Sequence, residues 1–408
     1  MSNTVRSSAR WTMIALAFFA TLINYLDRQA LSVAAPVLRV EFHLSNIDYS
    51  RILFAFMLAY TIMNGVSGVL IDRMGTRAGY ALFVGWWSVC ALLHAFAQGF
   101  LSLGIFRFLL GLGEAGNWPG AVKVVAEWFP AEERSLASGI FNSGSAAGAI
   151  LAPPLIAFMV LRFGWRSAFA VVGCAGFVWL AAWIKIYRTP ERPVGEAAPP
   201  SLVRLGVLLR SRFVWSFTIS KIFMDPAWYF YIFWFPEYLS HSRHFSMASI
   251  GSYAWIPFLV AGVGSAGGGL IATAFLRMGM TLSAARKSAV TVAALLMTMA
   301  IPAVLAQSAA VSIAFVSVAM AGYTAALANM LAMPADVFPP QAVASVYGLA
   351  SMGAGFGGMV FMLVTGWLVD RYSYVPAFLL FGLIPLVCAA ILWMFTGPLT
   401  RQIELFQE

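Results

Sequence analysis

Apolar residues run along this chain in long uninterrupted stretches, not in the short alternations of a strand or the narrow stripe of a surface helix. Runs of about 20 residues, the length at which a helix crosses the hydrocarbon layer, lie near 11–37, 49–71, 79–98, 101–128, 136–160 and 167–187. Six more lie near 213–239, 248–275, 288–306, 308–333, 343–369 and 375–396. A polar stretch, 188–212, separates the two sets, and its segment from Arg188 to Pro200 is too rich in proline and charge to continue a helix. The pattern predicts an all-α membrane protein with twelve transmembrane helices. An N-terminal six-helix bundle covers 1–187, a cytoplasmic linker 188–212, and a C-terminal six-helix bundle 213–408. The first run is too long for the apolar core of a secretion signal and lacks a small-residue cleavage site after it, so it is expected to be the first span.

The two sets repeat. An offset of 209 carries Phe129-Pro130 onto Phe338-Pro339, Gly139, Gly144 and Gly148 onto Gly348, Gly353 and Gly357, and Phe169 onto Phe378. Parallel six-helix repeats are a layout in which a solute site is expected near the bilayer midplane.

Composition agrees with the pattern and narrows the function. Hydrophobic residues make up 61% of the chain and charged residues 10%, against about a quarter charged in soluble proteins. The formal charge of +9 is distributed by side. With both termini cytoplasmic, 15 Lys and Arg fall in inside segments and 6 in outside loops. That bias sets the orientation and accounts for the positive charge without a nucleic-acid partner. Cys90, Cys174 and Cys388 lie in apolar runs without metal spacing, and the four histidines form no ligand set, so no metal site or cofactor is expected. Glycines crowd 262–269 and 353–358. There they suit close helix approach, since no strand precedes them and no Walker Lys-Ser/Thr ending follows. No catalytic constellation is present, so the chain is not expected to be an enzyme.

Charges inside the spans carry the remaining signal. Asp27 and Arg28 are adjacent in the first run, and each costs roughly 2.5–3.5 kcal/mol to place in a membrane helix. They must face inward. There they serve either as a structural ion pair or as a proton carrier and a carboxylate ligand, the latter suited to the planar fork of arginine. Glu114 follows Arg107 by seven residues, near one helical face. The 209 offset puts Tyr323 at the position of Glu114, so the acid is not repeated. Lys221 precedes Asp225 by four residues. It either pairs with that acid or offers a second cation to an anionic solute.

Several segments resemble one family. Gly68-Val-Leu-Ile-Asp72-Arg73-Met-Gly75-Thr-Arg77 is similar to the loop signature of the major facilitator superfamily. Arg107-Phe-Leu-Leu-Gly111-Leu-Gly113-Glu114-Ala-Gly-Asn117-Trp-Pro119 resembles its second signature, in the form typical of the anion:cation symporter family. Asn24-Tyr25-Leu26-Asp27-Arg28, Glu127-Trp-Phe-Pro130-Ala-Glu-Glu-Arg134 and Asp225-Pro-Ala-Trp228-Tyr-Phe-Tyr-Ile-Phe-Trp-Phe-Pro236 fit as well. The resemblance covers nearly the whole chain and comes nearest to bacterial hexuronate and other sugar-acid porters. It implies a monomeric, proton-coupled symporter of the cytoplasmic (inner) membrane. The implied partners are a sugar acid, protons and membrane lipid. Asp27 and Glu114 would couple protons. Arg28 and Lys221 would hold the anion, with Tyr25, Tyr60, Asn142, Trp228, Tyr229, Asn329 and Ser351 completing the site. Asp72, Arg73 and Arg77 would form a loop latch, and Arg107 would be structural. The second-half counterpart of the latch, Gly269-Leu-Ile-Ala-Thr273, lacks the acid that often stands there, so a one-sided latch is expected. Transport of another organic anion (aldonate, aldarate or monocarboxylate) stays open, as does a non-transporting nutrient sensor, which is expected to carry a long cytoplasmic extension.

Overall fold

A computed structural model describes residues 3–129, 134–189, 205–338 and 340–399. Among them every regular element is a helix. The first half contains α1 (Asn3–Glu41), α2 (Asn46–Met74), α3 (Thr76–His94), α4 (Phe100–Glu114), α5 (Asn117–Trp128), α6 (Arg134–Phe163) and α7 (Trp165–Ile186). A short α8 (Leu205–Leu208) precedes α9 (Arg212–Arg243), α10 (Met247–Tyr253), α11 (Ile256–Arg277), α12 (Leu282–Met297), α13 (Ala300–Leu305), α14 (Ala309–Val337), α15 (Pro340–Arg371) and α16 (Tyr374–Phe395). These account for the twelve predicted spans. Among the described residues nine are long and apolar enough to cross a membrane by that measure alone. The other three are α3, the α4–α5 segment and α9.

Three predicted spans are interrupted, at 115–116, 254–255 and 298–299. Each new helix carries a proline in its first turn, Pro119, Pro257 and Pro302 respectively. Proline is welcome there but clashes with the carbonyl four residues back. For Pro119 that carbonyl belongs to Ala115, and it accepts a hydrogen bond from Ser67 Oγ at 3.1 Å instead. The interruption therefore falls between Glu114 and Asn117, and the polar side chain of α2 heals it.

The described residues divide into two compact units, Met1–Glu196 with Phe235–Trp255, and Ala197–Trp234 with Ile256–Glu408. Helix pairs recur within them: α2 with α4 and α3 with α7 in the first, α11 with α14 and α12 with α16 in the second. Glycine sets the closest approaches. A Cβ on Gly144 or Gly148 would meet the Phe18 and Leu22 carbonyls of α1, and one on Gly353 or Gly357 the Thr218 and Ile222 carbonyls of α9. Of the crowded glycines in α11, Gly264 and Gly268 lie against Ala321 and Ala325 of α14, while Gly262, Gly267 and Gly269 meet nothing within 4 Å.

A leucine at Gly148 must force α6 away from α1. We expect Gly148→Leu to destabilise the protein by about 1–3 kcal/mol in detergent thermal melts, and Gly262→Ala to leave the melting temperature unchanged. Equal melting of both variants would show that these contacts do not set the helix spacing.

Candidate functional site

Helix α1 lays Thr21, Asn24 and Arg28 along one face by its i, i+3, i+4 spacing, and all are buried, as is Asp27. Two turns of α4 separate Arg107 from Glu114, which are 0% exposed. Arg28 Nε donates to Glu114 Oε2 at 2.7 Å. Its guanidinium carbon stands 4.4 Å from the Tyr60 ring centroid and 5.4 Å from that of Tyr25. Arg107 Nη2 donates to the backbone carbonyl of Arg28 at 3.5 Å, and Asp27 lies within electrostatic reach of Glu114 and Arg107. The four side chains form one cluster of two cations and two anions, formally neutral. Several of its atoms have no hydrogen-bond partner among the described residues: Arg28 Nη2, Arg107 Nε and Nη1, Asp27 Oδ2 and Glu114 Oε1. Burying an ion pair seldom repays its desolvation, and unbonded buried polar atoms add to the penalty. Donors and acceptors held in reserve fit a cluster that receives something.

In the second unit, Lys221 Nζ and Asp225 Oδ2 pair at 2.7 Å, so the intrahelical pairing expected as one alternative is present. Tyr323 donates its hydroxyl to Asp225 Oδ1 at 3.2 Å and stacks on Trp228, ring centroids 5.1 Å apart and 15° from parallel. The Lys221 ammonium faces the Tyr347 ring at 5.4 Å. Tyr229 stacks on Phe233 along the same helix.

The glycine contacts fix which positions correspond. Gly144 meets Phe18 and Leu22 where Gly353 meets Thr218 and Ile222, so α1 maps onto α9 with an offset of 200. Gly113 meets Trp87 where Gly322 meets Leu296, so α3 and α4 map with 209. Arg28 then corresponds to Trp228, Tyr25 to Asp225, and Glu114 to Tyr323. An ion pair in one unit is replaced in the other by an aromatic stack at the same two positions.

The remaining expected residues divide. Asn329 Nδ2 donates to the Gly268 and Ala325 carbonyls at 2.8 and 3.0 Å, and its Oδ1 accepts from Arg286 at 3.4 Å, so its amide is engaged inside the fold. Asn142 is exposed and Ser351 half-buried. Arg73 is exposed, and Arg77 Nη2 donates to the Ile184 carbonyl at 2.6 Å. The side chain of Asp72 lies outside the described residues. Gly75 turns the loop at φ +79°, a conformation glycine alone adopts without strain. Thr273 bonds back to Gly269 in its own helix, while Arg286 pairs with Asp336 at 3.1 Å.

Sequence reasoning passed over several buried polar groups. Neither amide atom of Asn24 or of Gln29 is bonded. Asn117 Nδ2 donates to Thr21 Oγ1 at 3.2 Å, and Tyr80 donates its hydroxyl to Asn117 Oδ1 at 2.8 Å. Near the C-terminal end of α1, Arg39 pairs with fully buried Glu237, which His241 Nε2 also approaches at 3.0 Å. A spacing of one turn from Glu114 or Arg28 would have flagged Asn117 and Asn24. No such local signal ties Arg39 to a residue 198 positions away.

Known proteins agree with this architecture. Residues 17–300 and 278–405 match the family described as Major Facilitator Superfamily. The hexuronate transporter of Escherichia coli (strain K12) is 32% identical over 402 residues, 94% of this chain and 93% of that protein. The galacturonate transporter of Dickeya chrysanthemi is 33% identical over 306 residues, 71% of this chain and 89% of that protein. The crystal structure of a D-xylose-proton symporter has the same fold, with a TM-score of 0.78 at 15% identity, covering 95% of this chain and 98% of that one.

The Lys221–Asp225 pair makes a stability prediction. Removing one member of a buried pair costs about 3–5 kcal/mol, so Lys221→Gln should lower the melting temperature, and Asp225→Asn added to it should restore most of the loss. A Lys221→Gln variant as stable as wild type would refute the structural pair and leave Lys221 as a solute ligand.

Proposed function

The chain belongs to the Major Facilitator Superfamily, a multi-pass membrane transporter fold, and on that premise we propose that it is a proton-coupled symporter. Its solute is a sugar acid, best matched by a hexuronate such as glucuronate or galacturonate, taken up by alternating access. The symporter sits in the cytoplasmic membrane as a monomer, and the distribution of Lys and Arg supports both termini inside.

The observation that carries this reading is the neutral cluster around Arg28 and Glu114. An organic anion entering it as it stands adds an uncompensated negative charge in a low-dielectric interior, which is strongly unfavourable. A proton on Glu114 removes the competing carboxylate from Arg28, and the solute carboxylate takes its place with the charge still balanced. Loss of the proton restores the 2.7 Å pair and displaces the solute. Asp27 is the second acid able to carry a proton. Arg107 holds the carbonyl of Arg28 and offsets the remaining acid, so it acts in the cluster and not only as scaffold.

The second unit differs at the matched positions. Its counterpart positions offer ring faces, Trp228 on Tyr323, with Tyr229 on the same helix, and Lys221 is already neutralised by Asp225. One carboxylate in the place of Glu114 at Arg28 describes a singly charged acid such as a uronate. The names of the two transporter relatives point the same way.

A counterflow screen in proteoliposomes with radiolabelled uronates, aldonates and aldarates tests the reading. Hexuronates are expected to exchange fastest, and exchange confined to aldarates or to none of the panel would overturn it. Glu114→Gln mimics the protonated state and should abolish accumulation driven by a pH gradient while retaining exchange. Accumulation at the wild-type level would remove Glu114 from coupling. Arg28→Lys keeps the charge but loses the fork, and should weaken hexuronate binding by about 1.5–3 kcal/mol. Unchanged affinity in a calorimetric titration would make Arg28 structural.

A further inference from the structure

Below the ionic cluster of the first unit stands a column of buried polar side chains that the cycle described so far does not use. Asn24 is one turn before Arg28 on α1, fully buried, with neither amide atom bonded. One turn further, Thr21 donates to the Ala17 carbonyl at 3.0 Å and accepts from Asn117 at 3.2 Å. Asn117, three residues after Glu114, in turn accepts from Tyr80 at 2.8 Å. Thr76, one turn before Tyr80 on α3, donates to Glu127 Oε1 at 2.6 Å, and Tyr187 donates to Oε2 of the same carboxylate. Glu127 is half-buried, at the last turn of α5. The column thus runs from the two buried acids to a third near the N-terminal ends of α1 and α3, the side that the Lys and Arg bias makes cytoplasmic. Among the described contacts, Lys123 donates to the Ile71 carbonyl and Arg77 to the Ile184 carbonyl.

The second unit shows that the scaffold does not need these groups. Under the structural offsets, Asn24 corresponds to Met224, Asn117 to Ala326, Tyr80 to Ala289 and Thr76 to Ala285, while Thr21 corresponds to Lys221, which Asp225 occupies. The same helices pack there through the same glycine contacts with apolar residues in place of Asn24, Asn117, Tyr80 and Thr76, while Glu127 corresponds to Asp336. A buried amide with neither atom bonded is unfavourable in a fold that has no use for it.

We propose that this column is the inner leg of the proton path. A proton leaves the carboxyl of Glu114 or Asp27 to water held by the amides of Asn24 and Asn117. It passes along water at the Tyr80 hydroxyl and is accepted by the Glu127 carboxylate, which releases it to the cytoplasm. No bond other than O–H forms or breaks. The proton then leaves by a route the solute does not share, and Tyr80 and Asn117 are positioning residues for the coupling step. The inference rests on the proton-coupled reading above.

Tyr80→Phe, which keeps the ring, and Asn117→Ala, which copies the second unit, test it in proteoliposomes. Net uptake driven by an inward proton gradient is compared with counterflow at symmetrical pH, in H2O and in D2O. Both variants should lose net uptake by an order of magnitude, retain counterflow near the wild-type rate, and show a larger solvent isotope effect on net uptake. Net uptake that follows counterflow in both variants, whether both stay normal or both fall together, overturns the inference. Counterflow by the wild-type protein reports on the sugar-acid reading alone, and the ratio of net uptake to counterflow reports on the column, so the two can fail separately.

Discussion

Charge neutrality in a low-dielectric interior is the constraint on which the rest depends. Asp27, Arg28, Arg107 and Glu114 are each at most 4% exposed, and their formal charges cancel. Neutrality in so dry a place favours matched charges within the cluster, and the proposed cycle keeps them matched by admitting an anion together with a proton. The proposed coupling between proton and solute is then a matter of electrostatics within one bundle. The aromatic rings around Arg28 serve the same end. Tyr60 and Tyr25 stabilise the guanidinium through their faces without introducing another formal charge.

The architecture was legible in the sequence because spanning a membrane needs long apolar runs, and all twelve positions hold helices. The interruptions at 115–116, 254–255 and 298–299 were not inferred, since a broken helix and a continuous one leave the same apolar run. The signal was nonetheless present in Pro119, Pro257 and Pro302. The single offset of 209 describes α3 to α6 but not α1, which maps with 200. The connection after α11, 278–281, is longer than the single Gly75 after α2. A pattern search on one register cannot see past such an insertion.

The candidate site was legible where membrane burial makes a residue costly, and less so elsewhere. Asp27, Arg28 and Glu114 stand out in any apolar run, and the structure brings Arg28 and Glu114 together. Lys221 had two readings from one spacing, and the pair with Asp225 is present at 2.7 Å. Asn329 looked like a hydrogen-bonding ligand, but the close approach of Gly268 delivers a backbone carbonyl to its amide. Sequence shows that small residues permit approach; it does not show which carbonyl arrives. Asn24 and Asn117 were visible within family-like segments, yet uncharged amides carry no penalty large enough to single them out.

A fold built twice in one chain supplies its own control. Where both units keep a feature, as with the glycines under α1 and α9, packing explains it. Where one unit has a charged or polar group and the other an apolar or aromatic one at the matched position, packing alone does not. Arg28 against Trp228, Glu114 against Tyr323, Asn117 against Ala326 and Tyr80 against Ala289 all fall in the second class, and all lie in the first unit along one line of helices α1, α3, α4 and α5. Arg286 with Asp336 against Arg77 with Glu127 shows the intermediate case: residue types are retained, but the partners are exchanged, a direct ion pair in one unit and bonds to Ile184, Thr76 and Tyr187 in the other. The scaffold can therefore satisfy the same carboxylate position without its arginine. In the first unit Glu127 is held, among the described contacts, by the hydroxyls of Thr76 and Tyr187.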